Sequence, residues 1–201
     1  MVVTMKIFWN ITDLMLKSPL PPDGCLVLSY LFILSKNIPA GGVLYWDKHQ
    51  VESIIGVSIL KQRICEKLFV KHNFLNKPVS DKKTFLNTET VEKLVSAPNY
   101  FYSIYHSILA MGMDIKSHIL LMEFLFHHKI NKGPFFVNRE GISKRTTLSI
   151  KTIRNCEQKL VELGFISIEI KIKPGTNRRV NFITINIKKC LSAGIPIWAF
   201  K

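Results

Sequence analysis

Acidic residues are scarce in this chain. It holds 14 Asp plus Glu against 28 Lys plus Arg in 201 residues, a formal charge of +14. That imbalance selects anionic partners, nucleic acid first and an acidic membrane surface second. Long apolar runs are missing too. The longest, "CLVLSYLFIL" and "HILLMEFLF", reach about half of the roughly 20 residues that cross a bilayer, so both read as buried helices. The amino end, "MVVTMKIFWNITDLML", interleaves Asn, Thr and Asp with its apolar residues and offers no clean signal-peptide stretch. A cytoplasmic protein without a membrane partner is expected.

Cysteine is equally sparse: Cys25, Cys65, Cys156 and Cys190 stand singly, with no C-x-x-C pair. That spacing excludes a disulfide framework and suits buried thiols in a reducing compartment. His127 and His128 are adjacent, and helical neighbours point about 100° apart, so they do not form a zinc site. No metal and no cofactor are expected. Paired catalytic carboxylates, a nucleophile elbow and a P-loop are also lacking, which argues against an enzyme.

What is present is a core and a repeat. Hydrophobic residues make up 47% of the chain, ample for one large domain or two small ones. Slid against itself, "LYWDKHQVESIIGVSILKQRICEKLFVKHNFL" (44–75) aligns without a gap on "FFVNREGISKRTTLSIKTIRNCEQKLVELGFI" (135–166), at an offset of 91. Ser58/Ser149, Ile59/Ile150, Arg63/Arg154, Cys65/Cys156, Glu66/Glu157, Val70/Val161 and Phe74/Phe165 are identical. Upstream, "NITDLML" and "CLVLSYLF" are echoed by "SIYHSIL" and "ILLMEFLF". Solenoid units are shorter and need three or more copies, so two long copies imply a duplicated domain. The division is expected near "SAPNY" (96–100), giving domains 1–97 and 98–201.

In the second copy an extended lead-in precedes an apolar helix over 114–128, with Asp114 as N-cap. A short helix over "NREGISKRTT" follows, then a helix from 149 to 163 capped by Ser149 and stopped by Gly164. "FISIEIKIK", the turn "PGTN" and "RRVNFITINI" then read as a β-hairpin with a basic tip. The first copy repeats the order, with helices over 25–36, 47–55 and 58–72, a left-handed stop at Asn73, and a hairpin turning at "SDKK". The class is α+β.

Three helices and a hairpin, with "LSIKTIRNCEQKLVELGFI" as turn, third helix and first strand, resemble the winged helix-turn-helix family. The lead-in and apolar helix are most similar to the winged-helix modules of bacterial replication-initiation proteins, the DnaD amino-terminal domain and plasmid initiators. The resemblance covers most of the chain twice and implies two tandem winged-helix domains. It further implies that the third helix enters the major groove and that the wing lies on the backbone. Carried onto this sequence, it makes Ser149, Lys151, Thr152, Arg154, Asn155 and Gln158 the reading helix. Lys144, Arg145, Lys171, Lys173, Arg178 and Arg179 would supply attraction to phosphates.

The first copy departs from this pattern. Leu60, Arg63, Ile64 and Lys67 stand where the second copy has Lys151, Arg154, Asn155 and Gln158, and Gln62 takes the inward place of Ile153. Its third helix is therefore expected to be rotated, or to present Leu60 and Ile64 to a protein, with Lys61, Arg63 and Lys67 making weaker DNA contacts. Charge divides the same way. Residues 1–97 hold 12 Lys/Arg and 8 Asp/Glu, and residues 98–201 hold 16 and 6. The tail "CLSAGIPIWAFK", with Trp198 and Phe200, either caps the core or supplies a dimer contact. The expectation is a nucleoid-associated, double-stranded-DNA-binding protein of replication initiation or transcriptional control, able to self-associate or to meet a replication or transcription protein. The alternative is a winged-helix adaptor that binds protein.

Overall fold

The computed structural model describes residues 8–36, 38, 43–76, 83–95, 101–173 and 175–200. Two compact units divide between His106 and Ser107. The expected boundary segment, 96–100, lies outside the described residues, and the division falls beyond it rather than at 97/98. The cause is a strand pairing with no local signal in the sequence. β1 (Phe8–Thr12) pairs antiparallel with β4 (Phe101–Tyr105) and keeps that strand in the first unit. The lead-in of one copy thus pairs with the lead-in of the other. Asn10 and Ser103, at matching places in the two, face each other, with Ser103 Oγ 3.2 Å from Asn10 Oδ1.

Between those strands the first unit runs α1 (Asp13–Lys17), α2 (Pro22–Ser35), β2 (Leu44–Tyr45), α3 (Lys48–Ile55), α4 (Ile59–Lys71), β3 (Lys83–Thr84) and α5 (Thr88–Val95). Pro22 opens α2, where a missing N–H does no harm. From Cys25 to Phe32 every residue of α2 is buried. A helix apolar all round belongs at the centre of a core, and α4 packs against it. Thr12 accepts from Met15 N to cap α1 and donates to the Leu94 carbonyl at 2.6 Å, tying α5 to β1. β2 pairs with β3, and a bridge joins Leu75 to Leu86. Those pairings are the base of the expected hairpin; most of its turn, 77–82, lies outside the described residues.

The second unit opens within α6 (His106–Ala110), at Ser107, and continues with α7 (Ile115–Asn131), β5 (Phe135–Phe136), α8 (Arg139–Thr146) and α9 (Ile150–Glu162). β6 (Ile166–Ile172), β7 (Arg179–Ile185) and α10 (Ile187–Ser192) follow, with a closing 3-10 turn at Ile197–Ala199. The sheet order is β5-β7-β6, all antiparallel. α7 is the central helix, buried from Ser117 to Leu125. The tail caps this core through Cys190, Ala193 and Ile195, and Phe200 meets the His128 ring edge-on, while Ile197 and Trp198 stay exposed. Burying a side chain such as Ile195 contributes about 1.5–3 kcal/mol.

The offset of 91 holds down to individual interactions. Asp47 and Asn138 cap α3 and α8, and Ser58 and Ser149 cap α4 and α9. Asn73 and Gly164 carry the expected left-handed stops. Lys48 pairs with Glu66 at 3.1 Å, and Arg139 pairs with Glu157 at 2.6 Å, at matching positions. Gly56 and Thr147 both close their helices at positive φ, 70° and 58°. For a β-branched threonine that conformation is strained, and the turn geometry evidently over-determines it.

Candidate nucleic-acid interface

α9 is held from below. Ile153, Cys156 and Leu160 are buried, on a stripe that repeats every three to four residues. Its start is fixed by Ser149, whose Oγ accepts from Thr152 N at 3.1 Å. Three ion pairs fasten the frame around it. Arg139 forks onto the buried Glu157, joining the amino end of α8 to α9. Lys159 reaches Asp114, the α7 cap, at 3.0 Å. Arg145 Nε donates to the fully buried Glu123 of α7 at 2.7 Å, with His127 beside both. Burial pushes the Glu123 carboxyl up, but the His127 and Arg145 hydrogen bonds outweigh it and hold it below the ordinary carboxylate value. His118, enclosed in α7, is held neutral by burial, its pKa lowered to about 3.

This arrangement uses most of the unit's acids. Asp114, Glu123, Glu157 and Glu169 each bond a cation, and Glu162 accepts from Gln158. Arg154, Lys173, Arg178 and Arg179 have no ion-pair partner among the described residues, and they meet. They line one cleft of about 510 Å³ between the amino half of α9 and the β6–β7 hairpin. Phe136, Val137, Ile150 and Val180 give it apolar walls, and Asn138, Asn181, Arg139 and Glu140 complete its rim. Four cations against the one carboxylate of Glu140, beside an exposed helix, leave an anion-selective groove. Lys151, Asn155 and Gln158 are exposed on the same helix. No protein family, curated protein or solved structure matches this chain. The chemistry of the surface therefore carries the functional argument.

That surface both sorts and corrects the residues expected from the sequence. Arg154, Lys173, Arg178 and Arg179 converge as described, and Lys144 is exposed at the end of α8. Arg145, expected to hold phosphate, is committed to Glu123, because a buried carboxylate without a partner is far costlier than a surface cation foregone. Lys171 is also engaged elsewhere. Its Nζ lies 2.9 Å from Glu169 and 4.0 Å from the Phe182 ring centroid, on the sheet face opposite Arg179 and Asn181. Thr152 serves the cap, its hydroxyl 2.9 Å from Ser149 Oγ. Ile150, Asn138 and Asn181 line the cleft without having been expected there. Alternation along β7 was the only signal for Asn181.

In the first unit, of the two alternatives for α4, the rotation does not occur. Gln62 points inward like Ile153 and is buried, because three partners await it. Trp46 Nε1 donates to its Oε1 at 2.9 Å, and its Nε2 donates to the Lys48 and Val57 carbonyls. A fully satisfied amide loses little by burial. Outward, Leu60 is 71% and Ile64 52% exposed. Arg63 and Lys67 are exposed between them, while Lys61 is drawn to Asp23 at 3.1 Å. The four cysteines are buried, and burial raises the Cys65 thiol to about 11 and Cys190 to about 12, keeping both protonated and inert. Among the described residues no cluster fit to hold a metal is found, and no helix is long and apolar enough to cross a membrane.

Proposed function

We propose that this chain binds double-stranded DNA through two winged-helix units, and that the second is the principal binder. The observation that carries the reading is the cleft lined by Arg154, Lys173, Arg178 and Arg179, which have no ion-pair partner among the described residues, beside the exposed Lys151, Asn155 and Gln158. α9 in the major groove would place Arg154 and Lys151 for guanine or phosphate and Asn155 or Gln158 for adenine. The cleft would then hold the backbone between helix and hairpin. The order of three helices and a hairpin, with a short strand joining the sheet ahead of the second helix, supports the winged-helix assignment. Replication initiation on a mobile element, or transcriptional control, is the proposed setting.

Titration of a labelled duplex tests the reading. Affinity should fall steeply between about 50 and 200 mM salt, as counterion release requires. An affinity indifferent to salt, or no binding at low salt, would sink it. Footprinting on the DNA flanking the gene separates the two settings, since an origin marks an initiator and a promoter an operator binder. A second reading rests on Leu60 and Ile64, whose exposure on α4 suits an adaptor that docks on protein. Binding to a protein partner that persists at high salt and vanishes in L60S/I64S supports that role.

A further inference from the structure

The apolar pattern of β6 does not stop where the core stops. Ile166 is buried and Ile168 half-buried, but Ile170 and Ile172, next on the same face, are 72% and 65% exposed. β-Propensity alone does not account for them, since threonine serves a solvated strand as well. Their surroundings are informative. Ile170 faces Asn181 and Ile172 faces Arg179 across the ladder. Directly opposed residues share a sheet face, so the two isoleucines stand on the face of Asn181 and Arg179, both of which line the cationic cleft. Among the described residues β6 is also the outermost strand of the β5-β7-β6 sheet. An apolar pair opposite Asn181 and Arg179, at the end of the sheet where Lys173 and Arg178 stand, fits a polyanion whose interior is apolar, and a duplex is such a ligand.

We propose that the β6–β7 hairpin acts as a wedge: Ile170 and Ile172 enter the minor groove and part a base step, kinking the duplex, while Arg178, Arg179 and Lys173 hold the flanking phosphates. This rests on the DNA reading above and adds a deformation to it. Apolar side chains inserted in this way unstack a step and bend DNA by about 20–90°. Flexible TA steps yield most easily, so the wedge favours sites that contain them. The bend also brings more of the duplex against the cationic surface.

The test uses the full chain and a TA-rich duplex carrying a fluorophore pair at its ends and 2-aminopurine beside its central steps. The parent protein should raise end-to-end energy transfer and 2-aminopurine emission on binding. I170S/I172S should melt at the parent temperature, still bind in a salt-dependent way, and raise neither signal. K171S, on the opposite face, should bend the duplex like the parent. Binding by I170S/I172S with an undiminished bend overturns the wedge and leaves DNA binding intact, as does parent binding without any bend. Absence of parent binding overturns both proposals. Loss of self-association by I170S/I172S in sedimentation, with bending unchanged, would assign the pair to an interface between copies instead.

Discussion

α4 and α9 occupy the same frame and present different chemistry. Both begin at a serine cap, bury a cysteine at matching places (Cys65 and Cys156), and are held by an ion pair from the preceding helix to a buried or half-buried glutamate. Outward, α4 offers Leu60 and Ile64 where α9 offers Lys151 and Asn155. The inward differences are few and compensated. Trp46 and Gln62 form a hydrogen-bonded pair in the first unit, at the positions of Val137 and Ile153 in the second. The comparison teaches that the frame is set by caps, staples and buried stripes, while the outward positions are left free to diverge in function.

The largest effect should come from an arginine that is frame rather than surface. Arg145→Ala takes the guanidinium away from the buried Glu123 carboxylate, a loss of about 3–5 kcal/mol. Urea denaturation should show it, while the affinity of the folded protein for DNA stays unchanged. Replacing both partners, in E123L/R145M, should recover much of the stability. A drop in affinity without a drop in stability would return Arg145 to the DNA surface.

Importing the second unit's residue into the first is the next test. Gln62→Ile strands the Trp46 indole N–H and removes a donor from the Lys48 and Val57 carbonyls, and should cost about 1–3 kcal/mol. W46F/Q62I, which removes the indole donor as well, should be less damaging than Q62I alone. If Q62I is neutral in thermal melts, the amide is not what keeps α4 in register.

Acidification should act on the second unit through His118. Its unfolded pKa is near 6.5 and its folded value is depressed to about 3, so below about 6.5 the unfolded chain takes up a proton that the folded one refuses. Stability is intact above that pH and falls by up to about 1.4 kcal/mol per unit as pH drops towards 3. Hydrogen exchange of α7 amides at pH 7 and pH 5 reads this directly, and H118L should flatten the dependence.

The smallest effect concerns the helix–helix turn. Thr147→Gly relieves the positive φ that Gly56 meets freely, and should stabilise the second unit by about 1 kcal/mol. The reverse change, Gly56→Thr, should destabilise the first by a similar amount. Equal melting temperatures for parent and T147G would mean that threonine contacts offset the strain.

Much of this frame was legible in the sequence because it rests on local chemistry. The caps at Asp114 and Ser149, the stops at Asn73 and Gly164, and the alternation in β6 each need only a few neighbouring residues. The β1–β4 pairing was not legible, since two strands 93 residues apart announce no partner. The fates of the cations were equally hidden. Arg145 and Arg154 look alike in a charge count, and only the fold shows that one meets Glu123 while the other borders an unpaired cleft. Gln62 misled for the same reason, because its partner Trp46 lies 16 residues away, between β2 and α3.

The central claim is that the DNA-binding charge is concentrated in the second unit's cleft, and matched charge removal tests it most directly. R154A/R178A/R179A and K61A/R63A/K67A each remove three cations, and the salt dependence of duplex affinity is measured for both. Each phosphate contact contributes about 0.9 to the slope of log affinity against log salt, so the first set should flatten it by roughly 2–3 and the second by much less. Equal flattening by both sets, or a slope untouched by the first, would contradict the account.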